Sequence, residues 1–234
     1  ENLLKKERNI SPVLIKIKTY PLTKKTRYVN EINQLLRVDQ EDINFMKSSI
    51  EEKIISKIKQ TLNKYNTVII SDYKKGMLNR KIIREIIKIC NKNKIKTLVD
   101  PKDKDFSIYS GAQIITPNQN ELPKTINTEL NSITSIVNQS RKLILQNKFN
   151  YVLVTRSEKG MLLISKNNYE NFTTIAKDVF DVSGAGDTVV SFIALGFGSN
   201  LDLRDTVKIS NLAAGIVVAK KGTAVVNRQD LLNL

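Results

Sequence analysis

A turn of small residues closed by a carboxylate, Asp181-Val182-Ser183-Gly184-Ala185-Gly186-Asp187, precedes the apolar stretch Thr188–Leu195. Small residues let the backbone approach a ligand closely, and a helix that starts there presents unpaired N–H groups at its positive dipole end. Together they make an anion hole. The spacing is not that of a dinucleotide fingerprint, because Val189 stands where that motif needs its third small residue, and no Walker lysine follows. Asp187 would repel a phosphate, which makes it a poor phosphate ligand but a suitable base for a hydroxyl attacking phosphorus. An aspartate that merely caps the helix fits the same turn.

The remaining inventory narrows the chemistry. The 234 residues contain no His and one Cys, Cys90. That excludes a Ser-His-Asp triad, a Cys-His pair, a His-bearing zinc site and an intrachain disulfide. Carboxylates, Lys, Arg, hydroxyls and backbone amides must do the work. Cys90 falls on the apolar side of a helical pattern and reads as inert core.

The turn must be positioned by something, and the periodicity says what. Ile50, Ile54, Ile55, Ile58 and Leu62 recur at helical spacing, followed by a strand at Val68–Ile70. A helix around Ile82, Ile83, Ile86 and Ile87, a strand at Thr97–Asp100, a strand at Gln113–Thr116, a helix at Ile133–Leu145 and a buried strand at Tyr151–Thr155 follow. Strands alternating with helices predict an α/β layer fold with a mainly parallel sheet. Ligands in such sheets bind at the carboxyl ends of strands. Those ends are polar here: Ser71-Asp72-Tyr73-Lys74, Asp100-Pro101-Lys102, Thr116-Pro117-Asn118 and Thr155-Arg156-Ser157. A hairpin, Met161–Ser165 and Tyr169–Thr174, precedes the last helices. The first forty residues offer three short strand-like stretches, Leu14–Tyr20, Thr26–Asn30 and Gln34–Asp39, separated by Pro21 and by Glu31 with its neighbours.

Composition sets the class. With 41% hydrophobic and 26% charged residues the chain can bury a core. The net charge of +15 raises the question of nucleic acid. The basic residues are mostly Lys interspersed with Ile and Asn, the pattern of solvated helix faces in a protein from an AT-rich genome. The 6% aromatic content, the absence of Trp and the lack of a helix-turn-helix, RNA-recognition or zinc signature argue against a nucleic-acid-binding module. No apolar run approaches the roughly 20 residues that cross a bilayer, and scarce Cys fits a reducing compartment, so the expectation is a cytoplasmic protein without membrane contact.

At this point the residues resemble a family. Asp181–Asp187 resembles the C-terminal signature of the ribokinase-like (PfkB) carbohydrate kinases, whose fold is a three-layer α/β/α sandwich with a small β lid. Asn118-Gln119-Asn120-Glu121 resembles the family's Asn-x-x-Glu element, Thr155–Gly160 the nucleotide-contacting turn, and Asn211-Leu212-Ala213-Ala214-Gly215 the helix beside the adenine. Ser71-Asp72-Tyr73-Lys74-Lys75-Gly76, Asp100-Pro101-Lys102, Thr116-Pro117-Asn118 and Lys221-Gly222-Thr223 are most similar to the kinases of D-glycero-β-D-manno-heptose 7-phosphate. Those kinases supply ADP-heptose for the lipopolysaccharide core.

The resemblance implies roles residue by residue. Asp187 would be the catalytic base, with Gly184, Ala185 and Gly186 as the anion hole. ATP would meet Thr155, Ser157, Gly160 and Asn211, and Mg²⁺ would be held through water by Asn118 and Glu121. A monovalent cation, K⁺, would sit on carbonyls around Asp181, Ser183 and Gly222. Asp72, Lys74, Lys102 and Arg27, with Lys25 beside it, would bind the sugar phosphate. Residues 13–40 would form part of the lid and pair with a second copy, and residues 41–234 the core. The family's opening strand and Gly-Gly segment have no match, which implies a chain lacking an N-terminal portion of the family domain. Ser183 replaces a common Thr, and Pro123 fits only in a first helical turn. Another PfkB sugar or nucleoside kinase, or an inactive nucleotide-binding remnant, are the alternatives.

Overall fold

The computed structural model describes residues 2–7, 9–17, 22–30, 34–41, 46–122, 130, 132–174 and 179–232. The chain divides into two compact units, Glu1–Phe45 and Met46–Leu234.

The first unit holds a short helix α1 (Asn2–Lys6) and an antiparallel pair, β1 (Lys24–Val29) and β2 (Gln34–Gln40), which makes a two-stranded sheet of its own. Tyr28 lies opposite Leu36 and Thr26 opposite Val38, while Arg27 lies opposite Arg37. Directly opposed residues share a face, so the alternation gathers Tyr28, Leu36 and Val38 on one face and Lys25, Arg27, Arg37 and Asp39 on the other. The strand expected over Leu14–Tyr20 is not present across residues 14–17, which are irregular. Alternating Leu, Ile and Lys make a strand only where a neighbour supplies backbone partners. Residues 18–20, Pro21, Glu31 and Pro123 lie outside the described residues.

The second unit runs α2 (Ser48–Thr61), β3 (Thr67–Ser71), α3 (Arg80–Lys92), β4 (Lys96–Asp100), β5 (Ile114–Ile115), α4 (Ile133–Asn147), β6 (Tyr151–Thr155), β7 (Met161–Ser165), β8 (Tyr169–Phe172), α5 (Ala185–Gly198), α6 (Leu203–Val218) and α7 (Arg228–Leu232). Its six-stranded sheet has the order β3-β4-β5-β6-β7-β8. The first four strands are parallel to their neighbours, and β6, β7 and β8 form an antiparallel meander.

Side-chain alternation sends the strands' apolar residues to two cores. Ile70, Val99, Ile115, Val152, Val154, Leu162 and Ile164 join the buried faces of α2, α3 and α4. Leu98, Ile114, Leu153 and Met161 point the other way, onto Val189, Val190, Ile193 and Phe197 of α5 and Val207 of α6. The result is the expected three layers.

Local chemistry explains the helices. The stripe Ile82, Ile83, Ile86, Ile87, Cys90 buries α3 against the sheet, and each such isoleucine contributes about 1.5–3 kcal/mol. Asn79 starts that helix by accepting the Ile82 N–H at 2.9 Å. Ser132 and Ser135 form a reciprocal capping box on α4. Asp202 accepts from the N–H groups of Arg204 and Asp205 to open α6. Two of the helices lack a side-chain cap: α2, which starts after Lys47, and α5, whose N-cap is Gly184 in the left-handed region (φ 85°).

Candidate active site

The four parallel strands end on one edge, and the start of α5 lies over that edge. A cleft of about 250 Å³ opens there, lined by Tyr73, Asp100, Lys102, Thr116, Asn118, Glu121, Thr155, Gly186, Asp187, Val189 and Val190. The expected Lys102, Asn118, Glu121, Thr155, Gly186 and Asp187 are thus brought together from four separate stretches of chain.

Each wall is built by backbone bonding. Thr155 accepts from Gln119 at 2.9 Å and donates to the Pro117 carbonyl at 3.1 Å, which extends the β5–β6 pairing to an isolated bridge between Asn118 and Thr155. Asn118 Oδ1 accepts from the N–H groups of Asn120 at 2.9 Å and Glu121 at 3.0 Å. Glu121 returns the contact by accepting the Asn118 N–H at 2.9 Å on Oε2. Its other oxygen pairs with the Lys102 ammonium. The turn holding Asn118 and Glu121 is therefore set before any ligand arrives.

On the opposite wall, Phe180 and Asp181 donate to the Val218 carbonyl at the end of α6, and the Asp181 carboxylate accepts the Ser183 N–H at 2.8 Å. A Cβ on Gly184 would lie 3.7 Å from Thr223 Cγ2, so the Gly222–Thr223 segment runs beside the turn, with Gly222 at φ 77°. A Cβ on Gly186 would meet nothing within 4 Å. That bare backbone is the close-approach surface which an incoming anion needs. Asp187 is the third residue of α5 and the N-cap is Gly184, so the Asp187 carboxylate makes no cap to the helix.

Asp100 lines the cleft although the sequence assigns it no role of its own, as do Tyr73, Thr116, Val189 and Val190. It follows Leu98 by two positions and so shares the α5 side of the sheet. Its carboxylate accepts no hydrogen bond and makes no ion pair among the described residues. Burial pushes its pKa up to about 6; Glu121, Asp187 and Asp72 add to the rise, and Lys102 opposes it. Burial alone would lower the Lys102 ammonium, but the bond to Glu121 and the charges of Asp100 and Asp187 turn the shift upward, so the lysine stays cationic.

Asp72, by contrast, points away from the cleft. It shares the side of Ile70, is 3% exposed, and both carboxylate oxygens accept hydrogen bonds, from the Lys74 N–H and the Tyr109 hydroxyl. The Lys74 ammonium pairs with Asp103 at 3.1 Å. Arg27 and Lys25 belong to β1 of the N-terminal unit. Ser157 and Gly160 form the tight turn after Thr155, at φ 52° and 77°. A Cβ on Gly160 would fall 2.0 Å from the Phe172 carbonyl, so packing against β8 by itself demands glycine there. Asn211 is buried on α6 and donates to the Thr173 carbonyl at 2.7 Å, tying that helix to the end of β8.

Among the described residues no three His, Cys, Asp or Glu side chains form a preset cage for a metal. The Glu121 carboxylate and the partnerless Asp100 face one cleft, and sparse oxygen donors of this kind suit Mg²⁺, which keeps most of its waters. The residues present therefore fit that ion.

Residues 6–230 match the profile of the pfkB family carbohydrate kinase. The chain is 37% identical over 234 residues to the bifunctional protein HldE of Aliarcobacter butzleri strain RM4018, covering 99% of this chain and 48% of that protein. It is 38% identical over 235 residues to the bifunctional protein HldE of Pasteurella multocida strain Pm70, covering 100% and 48%. The chain thus spans about half the length of the curated relatives it matches. Among solved structures, phosphofructokinase-2 from Escherichia coli in complex with potassium aligns with a TM-score of 0.72 at 18% identity, covering 85% of this chain and 65% of that one. Ribokinase from Giardia lamblia aligns at 0.70 with 19% identity, covering 93% and 72%. These two likenesses establish the fold.

Proposed function

The chain belongs to the pfkB family of carbohydrate kinases, and from that membership we propose that it transfers the γ-phosphoryl group of ATP to the anomeric hydroxyl of D-glycero-D-manno-heptose 7-phosphate, giving the 1,7-bisphosphate and ADP. The observation that carries the reading is the cleft itself, in which Asp187 and the bare backbone of Gly186 face Lys102, Asn118 and Glu121. The choice of heptose phosphate is supported by the Ser71–Gly76, Asp100–Lys102 and Lys221–Thr223 elements and by the relatives named HldE.

Asp187 accepts the hydroxyl proton as the sugar oxygen attacks phosphorus and the bond to ADP breaks. The N–H groups of Gly184, Ala185 and Gly186 hydrogen-bond the charge on the phosphoryl oxygens; no side-chain cap competes with them, and the Ala185 N–H gives up only a long 3.3 Å bond to the Val182 carbonyl. Lys102 supplies a cation at the same place. Phosphoryl transfer is mostly positioning and electrostatics, so a chain without histidine is equipped for it. Mg²⁺, when bound, neutralises phosphate charge; Asn118, Glu121 and Asp100 would hold it. Asp181, Ser183 and Gly222 would hold K⁺. The β1–β2 hairpin serves as lid and as the pairing surface for a second copy.

The test is product analysis by phosphorus NMR with MgATP and a panel of heptose 7-phosphate, fructose 6-phosphate, ribose and a nucleoside. Preferential formation of heptose 1,7-bisphosphate is expected. Preference for another acceptor overturns the substrate, and transfer to none of a broad panel overturns the kinase reading.

A further inference from the structure

Behind the cleft, two strand-exit loops are tied by a network that the reaction above does not use. The Tyr109 hydroxyl donates to Asp72 Oδ2. The Tyr109 hydroxyl oxygen in turn accepts the backbone N–H of Lys102 at 3.3 Å and of Asp103 at 3.1 Å. Asp72 Oδ1 accepts the Lys74 N–H at 2.7 Å, and the Lys74 ammonium closes the circuit on Asp103 at 3.1 Å. A phenol has one donor and two acceptor sites, so the hydroxyl's whole capacity is spent on fixing the exit of β3 to the exit of β4. Tyr109 is fully buried and Asp72 is 3% exposed, a setting in which a lost partner leaves a desolvated polar group behind.

Geometry gives the network a purpose. β4 ends at Asp100, and Lys102 is carried into the cleft by a loop that lies outside any strand or helix. The backbone of Lys102 is held from behind by Tyr109 while its ammonium faces Glu121 in front. We propose that Tyr109 is a positioning residue for Lys102, acting through the Asp72-centred network to set where the ammonium meets the transferred phosphoryl group. Small displacements of a charged group at a reacting centre lower rate far more than stability. In its activity arm this inference rests on the kinase reading.

Tyr109→Phe keeps the ring and removes the hydroxyl. Three measurements on the full chain separate the outcomes: amide hydrogen exchange, MgATP affinity, and turnover in single and double variants with Lys102→Met. Exchange of the Lys102 and Asp103 amides should quicken while that of β4 and β6 holds. Turnover should fall about tenfold, with MgATP affinity kept within about twofold. In the Lys102→Met background the same change should cost less than about twofold, because the lysine it positions is gone. Asp72→Asn, which disturbs the network without touching Tyr109, should show the same non-additivity.

Unchanged exchange at Lys102 and Asp103, or an equal loss of turnover with and without Lys102, overturns the proposal. If the unmodified protein phosphorylates no sugar, the functional reading fails by itself. The exchange measurement still decides whether Tyr109 holds the Lys102 backbone, with faster exchange supporting that and unchanged exchange refuting it.

Discussion

Asp100 stands in the cleft wall with its carboxylate unpaired among the described residues, and burial lifts its pKa from 3.8 to about 6. The folded chain then binds this proton more tightly than the unfolded chain does. The group's contribution to stability is therefore complete at low pH, below its unfolded value, and is lost as pH rises through about 6. Asp100→Asn without divalent metal should raise the melting temperature at pH 8 and raise it much less at pH 4, as calorimetry will show. A variant less stable than the parent at pH 8 contradicts the assignment. The sequence places both Asp72 and Asp100 at strand exits without telling which faces the cleft. Ser71 pairs with Asp100, so Asp72 is one residue further on, and one residue reverses the side of the sheet. Which side the glycine turn covers is decided by α5 packing on Leu98 and Leu153, a long-range contact that local patterns do not reveal.

Two glycines that look alike in sequence serve different elements. At Gly160 a Cβ would collide with the Phe172 carbonyl at 2.0 Å, on a backbone at φ 77°. Gly160→Ala should therefore destabilise the β6–β7 turn by about 2 kcal/mol or more in urea unfolding. At Gly186 a Cβ meets open space within a helix. Gly186→Ala should leave stability unchanged or raise it by up to about 1 kcal/mol, yet weaken MgATP binding by crowding the anion hole. Equal destabilisation by both would contradict this division. The elements themselves were mostly legible: the Ile stripes of α2 and α3, the apolar run of β6 and the β7–β8 hairpin stand where periodicity puts them. β5 is shorter than expected, Ile114–Ile115, because Gln113 and Thr116 continue the hydrogen bonding at its ends without full ladder geometry. Residues 14–17 form no strand because alternation alone does not supply a pairing partner.

At the scale of the molecule, the apolar face of the hairpin exposes Tyr28 (54%), Leu36 (55%) and Val38 (41%). A two-stranded sheet with such a face is marginal alone. If it pairs with a second copy, Leu36→Glu should shift the chain toward monomer in sedimentation velocity, and an unchanged distribution would remove the hairpin from the interface. No helix among the described residues is long and apolar enough to cross a membrane. The nucleotide assignment has its own global readout. A ligand at a hundredfold excess over Kd stabilises the fold by about 2.7 kcal/mol, so saturating MgATP should raise the melting temperature by about 5–10 °C. No shift in a folded sample would contradict the cleft's assignment.

Whether Asp187 accepts the proton of the attacking hydroxyl is decided most directly by turnover and ATP affinity measured together in Asp187→Asn. Asparagine keeps the size and hydrogen-bonding reach of the side chain and removes its basicity. Losing a general base lowers kcat by about a hundredfold or more. Removing a negative charge beside the triphosphate leaves ATP affinity the same or tighter. Both results are expected in one variant. Near-normal turnover, or lost turnover together with weakened ATP binding, would contradict that role for Asp187.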